Sequence, residues 1–227
     1  MQMPTFDKLM LPTLKALEQL GGSGSIEEIN SVLQALNLPD AITSQPHNPE
    51  KSSQTVSSGY KIQPAKETDI PLLNAIEAAA ATIFPPGSLP ENVLAERVPA
   101  DILTDALHQN RLLVAVDATQ APVGYAFWQN VTGFALLAQV DVHPQHGRKG
   151  LGTALVTRMI DQVVQAGFPY LYLTTFSDVP WNAPFYQKLG FILLDADSQP
   201  DFIKESLRDE QERGMNNRVA MRYTIQA

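Results

Sequence analysis

From Tyr60 to Ile225 the apolar positions switch repeatedly between helical steps and short strand-like runs. Tyr60 to Ala65 reads as a strand, and Thr68 caps a helix that runs to about Ile83. The turn-rich stretch FPPGSLPEN separates that helix from a second helical stretch. RLLVAV, PVGYAFWQNV and FALLAQVDV follow as three strands, joined by turns at Asp117 to Ala121 and Thr132 to Gly133, which predicts an antiparallel meander. Leu151, Leu155, Met159 and Val163 then recur every fourth residue, with Ala154, Ile160 and Val164 widening the stripe, so a long amphipathic helix spans Leu151 to Ala166. YLYLTTF is a strand, Asn182 to Leu189 a short helix, FILLDA a strand, Asp201 to Arg213 a charged surface helix and RVAMRYTI a last strand. Consecutive hairpin strands followed by strands with helical crossovers make an α+β layout.

The N-terminal part is organised differently. Phe6, Leu9, Met10, Leu14, Leu17 and Leu20 recur at helical spacing until Gly21, Gly22 and Gly24. Ser25 and Glu28 then form a capping-box pattern ahead of Ile26, Ile29, Val32, Leu33 and Leu36. Residues 1–38 therefore read as a helical hairpin, residues 39–59 as a Ser/Pro-rich linker and residues 60–227 as the main domain. Phe6 to Leu36 is also broken by charge, so no apolar run there reaches the length of a signal-peptide core. No stretch approaches a transmembrane span, and the expected location is cytoplasmic without membrane association.

Composition narrows the chemistry. The absence of cysteine excludes disulfides, thiolate metal sites and a cysteine nucleophile, and four scattered histidines give no metal-ligand pattern, so no metal is expected. With 16 basic against 24 acidic residues the net charge is -8, opposite to the bias of a nucleic-acid-binding surface.

The most informative stretch is VDVHPQHGRKGLGTALV. A strand ends at Val142, Pro144 breaks it, and Gly147, Gly150 and Gly152 precede the long helix. Glycines at a helix N-terminus leave unpaired N–H groups that converge, and the helix dipole adds positive potential. Arg148 and Lys149 bring two cations beside that point, which suits a pyrophosphate or ribose phosphate; the alternative is an ordinary glycine turn entering a core helix. The spacing matches neither the P-loop nor the dinucleotide fingerprint.

These residues resemble the acyl-coenzyme-A loop of the GNAT superfamily of N-acetyltransferases, of the form V-x-P-x-x-Q/R-x-x-G-x-G/A, with Val142, Pro144, Gly150 and Gly152 in register. Gly147 stands where that pattern has Gln or Arg. PWNAPFYQKLGF resembles a second superfamily segment ending in Y-x-x-L-G-F, which sets Tyr186 near the coenzyme sulfur, with Asn182 one turn earlier on the same helix face. The resemblance spans about Tyr60 to Ile225 and implies a GNAT-like acyl-CoA N-acyltransferase fold with a mostly antiparallel central sheet.

It also implies an acetyl-CoA-dependent N-acetyltransferase that moves an acetyl group directly to a primary amine of a small molecule or protein. The coenzyme would lie along Val140 and Val142 and against Gly147, Arg148, Lys149, Gly150, Leu151, Gly152 and Thr153, with Asn182 bonding its pantetheine arm. Tyr186 would protonate the departing thiolate. Many relatives place a basic glutamate on the fourth strand; here Gln139 and Asp141 share one strand face, and Asp141 is the candidate base, its alternative being a solvated strand-end carboxylate. The acceptor pocket should be framed by IFPPGSLPEN and the helix from Asp201, where Glu91 and Glu96 would attract a cationic amine. The partner is thus a small-molecule or peptide amine, and a homodimer is compatible with the pattern. Two other readings are an inactive acyl-CoA-binding module and a DNA-binding regulator acting through the N-terminal helices.

That last reading comes from a separate resemblance. PTFDKLMLPTLKALEQLGGSGSIEEINSVLQALNL is similar to the first two helices of the Mrr-type N-terminal winged helix, without the recognition helix and wing. Six carboxylates face two lysines across residues 1–50, so this acidic half-domain is not expected to bind nucleic acid.

Overall fold

The computed structural model describes residues 56–225, and the N-terminal hairpin and most of the linker lie outside them. A seven-stranded sheet runs through the domain. Its strands are β1 (Lys61–Pro64), β2 (Leu112–Val116), β3 (Pro122–Val131), β4 (Phe134–Val142), β5 (Tyr170–Phe176), β6 (Ile192–Leu193) and β7 (Arg218–Thr224). Their spatial order is β1-β2-β3-β4-β5-β7-β6, antiparallel throughout except where β4 meets β5 in parallel. The meander expected from residues 111–142 is present, and the sheet is mixed because the long helix crosses over between β4 and β5.

The helices are α1 (Ile70–Ala81), α2 (Glu91–Ala95), α3 (Ala100–His108), α4 (Leu151–Gln165), α5 (Ala183–Lys188) and α6 (Asp201–Glu212). Three expectations need correction. Thr68 sits inside a 3-10 turn at Glu67–Asp69, and α1 begins after Asp69, whose carboxylate accepts from the Lys66 amide at 2.9 Å. The second helical stretch is two helices, because Pro99 supplies no N–H and forces Val98 toward extended backbone. FILLDA pairs only through Ile192 and Leu193.

Two apolar layers flank the sheet. On one face α4 buries Leu151, Ala154, Leu155, Val156, Met159, Ile160 and Val163 against Leu113, Leu171, Leu173 and Met221. Val164, assigned to this stripe by periodicity, stands 39% exposed, and Val156 takes its place. Each fully buried aliphatic side chain contributes roughly 1.5–3 kcal/mol, so this face is what fixes α4 on the sheet. On the other face α1 and α3 cover Leu112, Val114, Val116, Tyr125 and Phe127, while α6 covers Tyr172 and Ala220.

Candidate active site

The site originates in a divergence of two strands. β4 and β5 pair only at Ala135 with Leu171 and Leu136 with Tyr172, after which their ladder ends. In the same region Phe127 pairs with Gln139 and Trp128 with Leu137, so Ala138 is an extra residue that bulges β4 and bends it away. A cavity of about 520 Å³ opens between the strands, lined by Leu136 to Asp141 of β4, Leu173 to Phe176 of β5, and Asn182 and Tyr186 of α5. Gly124 of β3 keeps β4 in place beside it, since a Cβ there would lie 2.9 Å from the Asp141 carbonyl oxygen and 3.2 Å from Val142 Cγ2.

The glycine loop sits at the end of β4. Gly150 precedes α4 with φ +80°, and Arg148 has φ +56°. These left-handed residues turn the chain so that the N–H groups from Arg148 to Thr153 donate to no backbone acceptor among the described residues. The Leu151 side chain belongs to the core, so its contribution at this point is its amide. Gly152 faces Phe185, 3.6 Å from where its Cβ would stand, which brings the start of α4 against α5. An anion at this loop meets a row of free amides and a helix dipole.

Lys149, one of the two loop cations, is anchored in a way the sequence did not suggest. The Lys149 ammonium donates to Tyr60 Oη at 2.6 Å and stands 5.0 Å from the centre of its ring, while Tyr60 Oη lies 2.9 Å from His146 Nδ1. The Lys149 carbonyl in turn accepts from the Ser57 amide at 3.4 Å. Partial burial, with Lys149 and His143 nearby, holds the His146 imidazole below its usual pKa, which favours the neutral ring.

Strand alternation sets Gln139 and Asp141 on one face, as expected, and that face is the one toward α1. Asp141 pairs with Tyr125 across the ladder, and the Gln139 amide donates to Asp141 Oδ2 at 2.7 Å. It is not a solvated strand end. Burial, reinforced by the charge of Glu77, pushes its carboxyl up to about 6, against the opposing hydrogen bond from Gln139 and the influence of Tyr125 and Arg97. Tyr186 packs edge-on to Phe185 and Phe191. Burial and the Asp141 charge raise its phenol well above the ordinary value, partly offset by Arg218, so the hydroxyl keeps its proton at neutral pH. A partly buried carboxyl and a protonated phenol therefore line one cavity.

The other charges around the cavity were less legible. Arg218 pairs with Glu210 at 2.8 Å, both only 16% exposed, and also donates to Thr174 Oγ1 at 2.9 Å. Arg213 pairs with Glu96, so that carboxylate is already occupied, and Glu91 does not line the cavity. Phe84 and Leu89, from the loop expected to frame the acceptor pocket, do line it. Glu77 lines the cavity from α1, where it is the only charged residue in IPLLNAIEAAAA. A lone carboxylate in an Ala-rich apolar helix was the available signal. Among the described residues no group of three or more His, Cys, Asp or Glu is placed to hold a metal, and no helix is long and apolar enough to cross a membrane.

The acetyltransferase (GNAT) family model matches residues 75–191, about half of the chain and all of the site from α1 through α5. This chain belongs to the GNAT acetyltransferase family. Solved structures share the fold of this acetyltransferase at low sequence identity. The PaiA N-acetyltransferase of Thermoplasma acidophilum, in complex with coenzyme A, is 16% identical, covers 73% of this chain and 99% of its own, and has a TM-score of 0.56. The ribosomal-protein-S18-alanine N-acetyltransferase of Escherichia coli is 19% identical over 74% of this chain and 95% of its own, with a TM-score of 0.52. Ard1 of Thermoplasma volcanium is 17% identical over 74% and 99%, also at 0.52.

Proposed function

We propose that this acetyltransferase moves an acetyl group from acetyl-coenzyme A directly to a primary amine of a small molecule or peptide, with Asp141 as base and Tyr186 as acid. The observation that carries this reading is the shared cavity at the β4–β5 divergence, where a carboxyl with its pKa near 6 and a protonated phenol face the same space. The donor's pantetheine would run along the open edge of β4 at Val140 and Val142, with Asn182 beside it. Its pyrophosphate would take the free amides of Arg148 to Thr153, with the Arg148 and Lys149 side chains adjacent, whereas the Gly147 amide already donates to the Pro144 carbonyl at 3.1 Å. Coenzyme A bound to the PaiA relative supports this class of donor.

Asp141 accepts a proton from the incoming ammonium, and the freed amine attacks the thioester carbonyl carbon. A backbone N–H near Val142 stabilises the developing oxyanion. As the C–S bond breaks, Tyr186 gives its proton to the sulfur. Asn182 is available for this positioning, because its side chain makes no capping bond to α5 although it occupies the N-cap.

Calorimetric titration with acetyl-coenzyme A, using ATP as the control anion, tests the donor site: saturable binding of the coenzyme alone is expected, and no binding to folded protein would remove the reading. Tyr186→Phe should lower turnover by about 10²–10⁴-fold with coenzyme affinity retained. Unchanged turnover would take Tyr186 out of the mechanism, and an inactive binding module would show affinity with no turnover in the parent protein.

A further inference from the structure

The loop that offers its amides to the coenzyme is held in shape from outside. Gly147 brings no side chain, Gly150 lies at φ +80°, and Arg148, at φ +56°, takes a left-handed conformation that a residue with a side chain adopts only when its surroundings impose it. Among the described residues, the hydrogen bonds that reach Lys149 from beyond this loop come from the segment just before β1. The Ser57 amide and hydroxyl both donate to the Lys149 carbonyl at 3.4 Å, and Tyr60 Oη accepts from the Lys149 ammonium at 2.6 Å.

We propose that Tyr60 is a positioning residue for the donor: its hydroxyl fixes the Lys149 ammonium where it meets the coenzyme's pyrophosphate, and His146 fixes the hydroxyl in turn. This deepens the acetyltransfer reading and rests on it.

The chemistry of the three groups sets the direction of the chain of bonds. An ammonium only donates, a hydroxyl donates and accepts, and an imidazole nitrogen without a proton accepts. Lys149 therefore donates to Tyr60 Oη, and the Tyr60 O–H is left to donate to His146 Nδ1, 2.9 Å away. That direction needs the neutral imidazole, which partial burial and the neighbouring Lys149 and His143 favour. The His146 ring stands edge-on to Tyr60 with centres 5.7 Å apart, and the ammonium also lies 5.0 Å from the centre of the Tyr60 ring. Tyr60 is half-buried against the apolar layer that packs α4 on the sheet, so its hydroxyl is a fixed point.

An unanchored lysine samples many rotamers and gives them up when it meets a phosphate. Here the side chain is ordered beforehand. Among the described residues its one further acceptor is the Gln145 carbonyl at 3.5 Å, which leaves one of three N–H groups for an anion. The loop amides and the Lys149 charge then meet the ligand without further ordering, which is how a preorganised site gains affinity.

Calorimetric titration of the full chain with acetyl-coenzyme A tests this in a thermodynamic cycle. Tyr60→Phe keeps the ring and removes only the hydroxyl, so it should weaken binding about fivefold with Tm nearly unchanged. Lys149→Met should weaken binding about tenfold or more. Adding Tyr60→Phe to Lys149→Met should then change affinity by less than about twofold, because the hydroxyl acts through the ammonium. His146→Ala should cost about twofold by itself and nothing further once Tyr60→Phe is present. The acetylated coenzyme lacking its 3′-phosphate keeps the pyrophosphate, and Tyr60→Phe should weaken its binding by the same factor.

An unchanged affinity in Tyr60→Phe would overturn the proposal. So would equal losses from Tyr60→Phe in the parent and in Lys149→Met, since Tyr60 would then act on the fold alone. A loss confined to the coenzyme that carries the 3′-phosphate would overturn the pyrophosphate assignment. Failure of the parent protein to bind acetyl-coenzyme A would instead bring down the acetyltransfer reading itself.

Discussion

Replacing Asp141 by Asn should make the protein more stable and nearly inactive. In the folded protein the carboxyl has a pKa of about 6 against an ordinary 3.8. A shift of about two units corresponds to roughly 3 kcal/mol at 1.36 kcal/mol per unit. The sign follows from linkage: the folded state binds this proton more tightly, so the group's contribution is fully present below pH 4, is lost as pH rises through 6, and is a net cost above that. Asparagine carries no charge to desolvate and escapes that cost. The shift is already net of the bond from Gln139, whose amide can still donate to the Asn Oδ1, so the gain at pH 7.5 is roughly 3 kcal/mol. That is about 6–12 °C in Tm for a domain of this size. Thermal unfolding followed by circular dichroism at pH 4 and pH 7.5 would show the gain at the higher pH and its disappearance at the lower. Activity should fall by about 10²–10⁴-fold, and the acidic limb of the parent's kcat/KM profile should have a midpoint near 6. Equal stability of the two proteins at pH 7.5, or an acidic limb near pH 4, would refute the burial account of Asp141.

Other consequences follow from single contacts. Arg218→Leu leaves the Glu210 carboxylate unpaired at the cavity wall and should destabilise the fold by about 3 kcal/mol by urea denaturation, with Glu210→Gln in the same chain restoring most of it. Gly124→Ala places a Cβ against the Asp141 carbonyl oxygen and should cost about 1–3 kcal/mol while lowering turnover, because β4 must shift at the proposed base. Tyr60→Phe removes the hydroxyl that positions Lys149 and His146, and should weaken acetyl-coenzyme A binding about fivefold by calorimetry with kcat unchanged.

The local elements were written in the sequence because each depends on neighbours along the chain. β3, β4, α4 and β5 appear within a residue of where apolar spacing and turn residues put them, and the glycines before Leu151 announced a row of free amides. Motif resemblance reached further and grouped Val142, Pro144, Gly150, Gly152 and Tyr186 as one expected coenzyme site. Spacing alone could not show that β4 and β5 part after two residue pairs, since that depends on a bulge at Ala138 and on α4 packing between distant strands. Nor could it separate Asp141 as a half-buried carboxyl from a solvated one. Burial is a property of what lies across the fold, here Tyr125 sixteen residues earlier and Glu77 on another layer. For the same reason Glu96, exposed by sequence and apparently free, is occupied by Arg213 from the far end of the chain. Sequence periodicity determined which elements form and which faces they bury; only the tertiary structure decided which charges meet, because electrostatic energy depends on distance and solvent access rather than order along the chain.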